Sequence, residues 1–424
     1  MKTAILSVGT EILFGQIVNT NTVYLSQQLN MLGFDVMYHY TVGDNTTRLK
    51  EMIEYIFHDC DLIITTGGLG PTQDDLTKET VCEALNDKLV ENAAAMHNLK
   101  AHFQHSVMTE NNLKQAYLPS RAVMFRNDTG TAPGFALEDN GKMVICMPGP
   151  PKEMTKMFEG YVRPFLEKMQ DSVIFYKTVR TIGSEESRME TELLDLIDTQ
   201  TDPTLATYAK ETGCTVRIAS KRKTIEEAEA AVDEMVEKVL DRIGDYVYST
   251  DDEDIEQVIA KKLLEKGVTI SSAESCTAGL FSATLANVPG ISKVFERGIA
   301  TYSNQAKIDE LGVKQETLEK YGAVSAETAL EMAKGLAEKT GSDICLSVTG
   351  IAGPDGGTSE KPVGLIYVAA NYSDKAAGKS GSDRNETVIE YKRNTANRDW
   401  NRRFSVLRMM ELANKILDGK IEIK

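Results

Sequence analysis

The sequence predicts an α/β protein in which two sheet-and-helix domains flank a small α+β module. Three observations lead there. Residues 1–170 alternate short apolar runs with stretches of helical spacing, the βαβαβ rhythm of a mostly parallel sheet covered on both faces. The rhythm returns from about residue 255. Between them, residues 171–252 change character and end in Asp251-Asp252-Glu253-Asp254, a run that reads as solvated linker and acidic first turn of the next helix. The resulting domains are 1–170, 171–252 and 253–424, consistent with two or three domains for 424 residues at about 150 each.

In order, Thr3–Val8 is an apolar run, Val18–Leu32 has helical spacing closed by Gly33, and Phe34–Val42 reads as a strand. Thr46–Phe57 reads as a helix, Asp61–Thr66 as a strand and about Asp75–Leu85 as a helix, before the proline-containing MPGPPKEM (147–154) closes the domain. In the middle, Ser172–Ile182 alternates like a strand, Glu186–Ile197 is helical, Thr215–Ser220 is a short strand and Thr224–Ile243 a long acidic amphipathic helix. Further on, Ile255–Lys266 is a helix, Val268–Ser271 a strand, and Cys276–Ala286 a helix with Ser275 as N-cap. Ser325 caps a helix that Gly341 ends, Ile344–Val348 and Val363–Ala370 are buried strands, and the last helix runs from Arg398 to Leu417.

Charge and composition exclude several functions. With 47 basic against 63 acidic residues, the net charge of −16 repels nucleic acid and anionic lipid, and no basic run exceeds Lys221-Arg222-Lys223. The six cysteines are scattered without a C-x-x-C pair, which favours reduced thiols over disulfides or a zinc site. The opening MKTAILSVGTEI reads as a strand rather than a secretion signal, and no stretch approaches the roughly 20 apolar residues of a membrane span. A cytoplasmic protein is expected.

Chemistry concentrates in AESCTAGL (273–280), TYSNQAK (301–307) and TGIAGPDGG (349–357). Ser275 and Cys276 are candidate nucleophiles, yet all five histidines lie in the first quarter of the chain. The base within this domain is then Lys307 or Tyr302, and a Ser–Lys hydrolytic site leads. A lysine, ordinarily near pKa 10.4, acts as base only if burial lowers it. Tyr302 could relay a proton or orient the substrate. Helix-end amides beside Ser275 and the glycines of 349–357 would serve an oxyanion or phosphate, and Arg398 and Arg402 could grip an acidic group. Each piece alone is more often a cap or a turn. Cys276 is the rival nucleophile, disfavoured because no histidine is at hand to pair with it.

In the first domain, TTGGLGPTQDD (65–75) follows a strand and precedes a helix. Gly67, Gly68 and Gly70 permit close backbone approach to an anion, although the loop is neither a Walker A sequence nor a G-x-G-x-x-G fingerprint. Asp74 and Asp75 flank it and Asp44 follows the second strand; carboxylates facing a phosphate site imply a divalent cation between them.

Taken together, AESCTAGL, FERGIATYSNQAK, YGAVS, SVTGIAGPDGGTSEKPVG and NRDWNRRF resemble the nicotinamide-nucleotide amidase domain of the CinA (competence/damage-inducible) family. The resemblance implies hydrolysis of the carboxamide of nicotinamide mononucleotide to nicotinic acid mononucleotide and ammonia, without a cofactor. It maps a serine nucleophile and a lysine base onto Ser275 and Lys307. Tyr302, Thr349, Gly350, Ala352, Gly353 and Arg398 fall in its substrate-pocket motifs. This chain has Ala396 where the family usually carries glycine before the helix-opening arginine.

SVGTEILFGQIVNTN, ITTGGLGPTQDD and MPGPPKEM resemble the molybdopterin-binding (MoCF-like) domain of the same family, implying a doubly wound sheet. For that domain the resemblance implies ADP-ribose hydrolysis to AMP and ribose 5-phosphate, dependent on a divalent cation. Asp44, Asp74 and Asp75 would hold the cation, while Gly67, Gly68, Gly70, Thr72, Glu11 and Asn21 would line the nucleotide pocket. Leu69 stands where cofactor-synthesis relatives carry threonine, which argues against molybdopterin as the ligand. The middle segment resembles the family's KH-like module without the G-x-x-G loop that clamps RNA, which suits a spacer or a homodimer contact. The expectation is a bifunctional pyridine-nucleotide salvage hydrolase. A non-catalytic competence or recombination partner and a molybdopterin-handling enzyme are the alternatives.

Overall fold

Alternating side chains of the first strands go to opposite faces of one sheet. In β1 (Lys2–Val8), Ala4, Leu6 and Val8 join one apolar cluster, while Ile5 joins the other. The computed structural model of the chain describes residues 1–104, 107–169, 172–184, 186–210, 213–393 and 397–421. β2 (Asp35–Val42), β3 (Leu62–Thr66), β6 (Val123–Phe125), β7 (Gly134–Asp139) and β8 (Lys142–Met147) complete this sheet in the order β2-β1-β3-β8-β7-β6. A separate pair, β4 (Leu89–Glu91) and β5 (Tyr117–Pro119), lies outside it. The strands β2, β1, β3 and β8 are parallel, and β7 and β6 run antiparallel. Helix Thr46–Phe57 covers one face through Leu49, Ile53 and Ile56. Helix Thr20–Met31 covers the other through Leu25 and Leu29. The sheet is doubly wound, as expected, with an antiparallel edge that no expected element covered.

The middle segment forms a sheet of its own, ordered β10-β11-β9-β12 from β9 (Val173–Thr181), β10 (Thr204–Lys210), β11 (Gly213–Arg222) and β12 (Val247–Ser249). Its helices are Glu186–Thr199 and Ile225–Ile243. The chain divides into two compact units, Met1–Tyr176 with Ala219–Val232, and Lys177–Ile218 with Asp233–Lys424.

The C-terminal sheet is ordered β14-β13-β15-β16-β17, from β13 (Ile270–Glu274), β14 (Phe295–Ala300), β15 (Ile344–Gly350), β16 (Leu365–Ser373) and β17 (Arg384–Lys392). Its first three strands are parallel, and β16 and β17 are antiparallel. Helices Ile255–Lys266 and Arg398–Leu417 bury one face, where Ile270, Leu346 and Val348 meet Ile259, Met409 and Met410. On the other face Ala273 and Cys345 meet Leu311, Met332 and Leu336. Ser325 accepts from the Thr328 amide and Gly341 ends that helix in the left-handed conformation, both as expected. β13 runs on to Glu274, beyond the expected Ser271. Its serines stay buried by pairing, Ser271 with Ser342 at 2.8 Å and Ser272 with Ser282 at 2.9 Å. No helix among the described residues is long and apolar enough to cross a membrane.

Gly335, inside helix Ala326–Thr340, carries a packing constraint. A Cβ there would lie 1.7 Å from the Leu311 carbonyl oxygen, at the end of helix Asn304–Leu311. Gly335→Ala is expected to cost about 1–3 kcal/mol, as overpacking does. Calorimetry should find a lowered melting transition; an unchanged one contradicts the packing described.

Candidate active sites

Two parallel strands and one helix assemble the C-terminal site. Ser275 follows the end of β13, and its amide donates to the Val348 carbonyl of β15 at 3.0 Å. Thr301 follows the end of β14 and donates its amide to Glu274 O at 2.9 Å. Ser303 then caps helix Asn304–Leu311 by accepting from the Ala306 amide at 3.0 Å. This arrangement brings Lys307 back towards Ser275. Lys307 Nζ lies 3.0 Å from Ser275 Oγ, 2.8 Å from Thr301 O and 3.4 Å from Tyr302 O. The lysine is 1% exposed, and burial lowers its pKa to about 8.

The other C-terminal residues form a connected border. Arg398 donates Nη1 to Gly353 O at 2.9 Å and Nη2 to Tyr302 Oη at 2.8 Å. Asn401, one turn further along the same helix, donates to Ala352 O at 2.9 Å. Thr349 is buried, its hydroxyl donating to Ala323 O at 2.7 Å. A Cβ on Gly350 would meet Leu365 O at 2.8 Å, so close strand approach accounts for that glycine. Tyr302 is 57% exposed, and only its backbone carbonyl touches the lysine. Ala396 lies outside the described residues.

One expectation is overturned. Ser275 does not cap a helix beginning at Cys276; the helix is Leu280–Ala286 with Gly279 before it, and residues 275–279 form a turn. The physical reason is Glu274, which is 0% exposed. Its carboxylate accepts from the amides of Gly279 at 2.9 Å and of Phe281 and Ser282 at 3.0 Å. The helix-end donors expected to serve an oxyanion at Ser275 are thus engaged by Glu274. Sequence reading missed this residue, although an acid at a strand end just before a nucleophile and a downstream glycine was a visible signal.

Cys276 is directed elsewhere. Its sulfur lies 3.9 Å from Ser405 Oγ on the last helix, and burial pushes the thiol up to about 11. Arg402 donates to Thr277 O at 2.8 Å, holding the turn rather than an acidic ligand.

The N-terminal candidates surround a cavity of about 590 Å³, lined by Glu11, Asn21, Asp44, Gly67, Gly68, Gly70, Thr72, Asp74 and Asp75 among others. Its lining also includes Glu153 and contains no lysine or arginine. The glycines answer internal needs. Gly67 has φ +106° and a Cβ there would be 2.1 Å from Val8 O. Gly68 has φ +68°, and a Cβ would be 2.1 Å from Thr77 Oγ1. The helix begins at Thr77, two residues later than expected, and the Thr77 amide donates to Gly68 O at 3.1 Å. That helix end is buried, with Thr77 0% and Lys78 6% exposed.

Asp44 and Asp75 are each engaged by a threonine. Asp44 Oδ2 accepts from the Thr10 amide at 3.0 Å and hydroxyl at 2.7 Å. Asp75 Oδ2 accepts from the Thr72 amide at 2.9 Å and its hydroxyl at 2.5 Å. Asp74 is exposed. Among the described residues no three His, Cys, Asp or Glu side chains are grouped to hold a metal ion, so Asp44, Asp74 and Asp75 form no ready cage. Yet Asp44 and Asp75 each keep an oxygen that accepts no hydrogen bond among the described residues. Such a donor set fits a hard cation completed by phosphate oxygens, the usual arrangement for magnesium. Asn21 donates to Thr66 Oγ1 at 2.9 Å and Gly149 O at 2.7 Å, tying the cavity wall together. Lys78 and Lys114 donate to the carbonyls of Lys114 and Asp75, and burial lowers Lys78 to about 8.

Known families match along the chain: the probable molybdopterin binding domain over residues 4–168, the damage-inducible protein CinA KH domain over 176–249, and the CinA C-terminal domain over 252–411. A CinA-like protein of Dictyoglomus turgidum is 51% identical over 370 residues, 87% of this chain and 90% of its own. The CinA-like protein of Dictyoglomus thermophilum is 50% identical with the same coverage. A crystal structure of a competence/damage inducible protein from Agrobacterium tumefaciens is 36% identical, covers 39% of this chain and 96% of its own, and superposes with a TM-score of 0.35. With half its residues shared over most of its length, the chain belongs to the CinA family.

Proposed function

We propose that the chain is a two-site hydrolase of pyridine-nucleotide salvage, with an amidase behind and a phosphoanhydride hydrolase in front. One observation carries the amidase reading: a buried lysine, lowered to about 8, with its nitrogen 3.0 Å from a serine hydroxyl. A neutral amine has two N–H groups and one lone pair. Thr301 O and Tyr302 O can accept both N–H groups, leaving the lone pair for the Ser275 hydroxyl proton. Ser275 Oγ then attacks the carboxamide carbon of nicotinamide mononucleotide, and the lysine returns the proton to the departing ammonia. Water hydrolyses the acyl-serine by the same route in reverse. Tyr302 and Arg398, exposed at the border, are the groups available to the nucleotide.

The front-site reading rests on electrostatics. A cavity bordered by Glu11, Asp44, Asp74, Asp75 and Glu153 without a basic side chain repels a diphosphate unless a cation intervenes. Asp44 and Asp75 would hold that divalent cation, which would neutralise charge on the ADP-ribose pyrophosphate. Glu11 and Thr72 would face the ligand from the rim.

Ser275→Ala is expected to reduce ammonia release from nicotinamide mononucleotide by about a thousandfold or more, while Cys276→Ala stays within about tenfold. A loss confined to the cysteine variant would reverse the nucleophile assignment. Activity is expected to rise with pH through about 8, the value of Lys307. Stability follows the same sign. Between about 8 and 10.5 the unfolded lysine binds more protons than the folded one, so unfolding free energy rises with pH across that window. Lys307→Met should lose both trends relative to the parent, measured by rate profiles and denaturant midpoints; Lys78, common to both proteins, cancels. In the front cavity, a methylene-bridged ADP-ribose analogue should bind at least about tenfold more weakly in chelator than with magnesium. Calorimetry finding equal affinities would remove the cation from the reading.

A further inference from the structure

We propose that Glu274 is a positioning residue that holds Ser275 and its neighbouring amides in register for the serine chemistry, an inference that rests on the amidase reading above. Its carboxylate is fully buried and makes no ion pair among the described residues. Instead Oε2 accepts from the amides of Gly279 and Phe281, and Oε1 from the amide of Ser282 and, at 2.7 Å, its hydroxyl. Ser272 donates to Oε1 at 3.3 Å. One side chain at the end of a strand therefore closes the whole turn that follows it onto the start of the next helix.

That turn needs holding. Ala278 has φ +52° and Gly279 φ +95°, and a left-handed alanine persists only where surrounding contacts over-determine it. The other anchors are Ser275 N to Val348 O, Ala278 N to Ser275 O and Arg402 to Thr277 O. Once these and the glutamate contacts are made, the amides of Cys276 and Thr277 donate to no oxygen among the described residues. They are the donors left beside Ser275 for a developing oxyanion. Glu274 thus decides which amides are committed to the fold and which remain available to the reaction, without touching the substrate.

Glu274→Gln keeps the shape but sets an NH2 group against N–H donors. The expected result is a fall in kcat of about a hundredfold for nicotinamide mononucleotide, with KM within about threefold because Tyr302 and Arg398 are untouched. Glu274→Asp, which keeps a carboxylate, should recover part of the loss. A fluorophosphonate probe reads the serine independently of the natural substrate. Ser275 Oγ bonds to phosphorus, fluoride leaves, and the hydroxyl proton passes to Lys307; intact mass follows the rate. Glu274→Gln should label at least about tenfold more slowly.

Parent-like kcat or labelling in a folded Glu274→Gln protein overturns the inference. A parent protein that labels at Ser275 but releases no ammonia defeats only the substrate reading, and slow labelling of the variant then still supports Glu274. A parent that does neither overturns both. Should Glu274→Gln fail to fold by circular dichroism, Ser282→Ala is read in the same assays, where a several-fold loss supports the role and parent rates overturn it.

Discussion

The C-terminal domain is organised around one costly placement, an amine buried against a hydroxyl. Full burial of an unassisted lysine can depress its pKa to about 5–6. Here it settles at about 8, because burial lowers it while the charge interaction with Cys276 opposes the shift. The resulting group is close enough to neutrality to accept a proton near physiological pH and basic enough to take one from a hydroxyl. Keeping it there requires the ends of β13 and β14 to lie side by side, the Ser303 cap to set the helix, and Gly335 to let that helix approach its neighbour.

Much of this was legible in the chain. The apolar run Thr3–Val8 and the helical spacing in Thr46–Phe57 each answer to burial, and the strand (starting one residue earlier, at Lys2) and the helix stand where they were expected. Ile255–Lys266 and Arg398–Leu417 likewise match their expected limits. Elements escaped where burial left no apolar mark. β14, FERGIA, is an edge strand with most of its residues exposed. β13 continues through Ser271, Ser272 and Glu274, polar residues buried by hydrogen bonds that leave no apolar signature. The Ser275–Lys307 pairing was inferable from the lack of a histidine in the domain and from family resemblance. The contact of Ser405 with the nucleophile turn depends on tertiary placement that no local pattern encodes, whereas Glu274 bonds amides only a few residues ahead of it.

The two sites show opposite solutions to the same electrostatic problem. At the C-terminal site burial disfavours the charge of a cation and so brings its amine towards neutrality. The front cavity is lined by carboxylates, with no lysine or arginine among its described lining residues. Its glycines belong to this design only indirectly. Gly67 and Gly68 are demanded by Val8 O and Thr77 Oγ1, which hold the loop tight enough for Thr72 and Asp75 to close on each other. A glycine-rich loop next to a helix is therefore weaker evidence for phosphate contact here than the charge of the cavity wall.

The choice between adjacent nucleophiles follows from the turn itself. A thiol is intrinsically the better nucleophile, but only as thiolate, and burial pushes Cys276 up to about 11. The ammonium of Lys307 would favour that thiolate, yet burial outweighs it. Sulfur meets Ser405 on the last helix while the neighbouring hydroxyl meets the lysine. The same backbone that offers Ser275 to the amine thus consigns Cys276 to the core, where Phe281 and Met409 belong to the same apolar cluster. Exchanging the two residue types would then be doubly unfavourable, because it would place a hydroxyl among apolar side chains and a thiol beside a buried amine. The order Ser-Cys is dictated by packing on one side of the turn as much as by chemistry on the other.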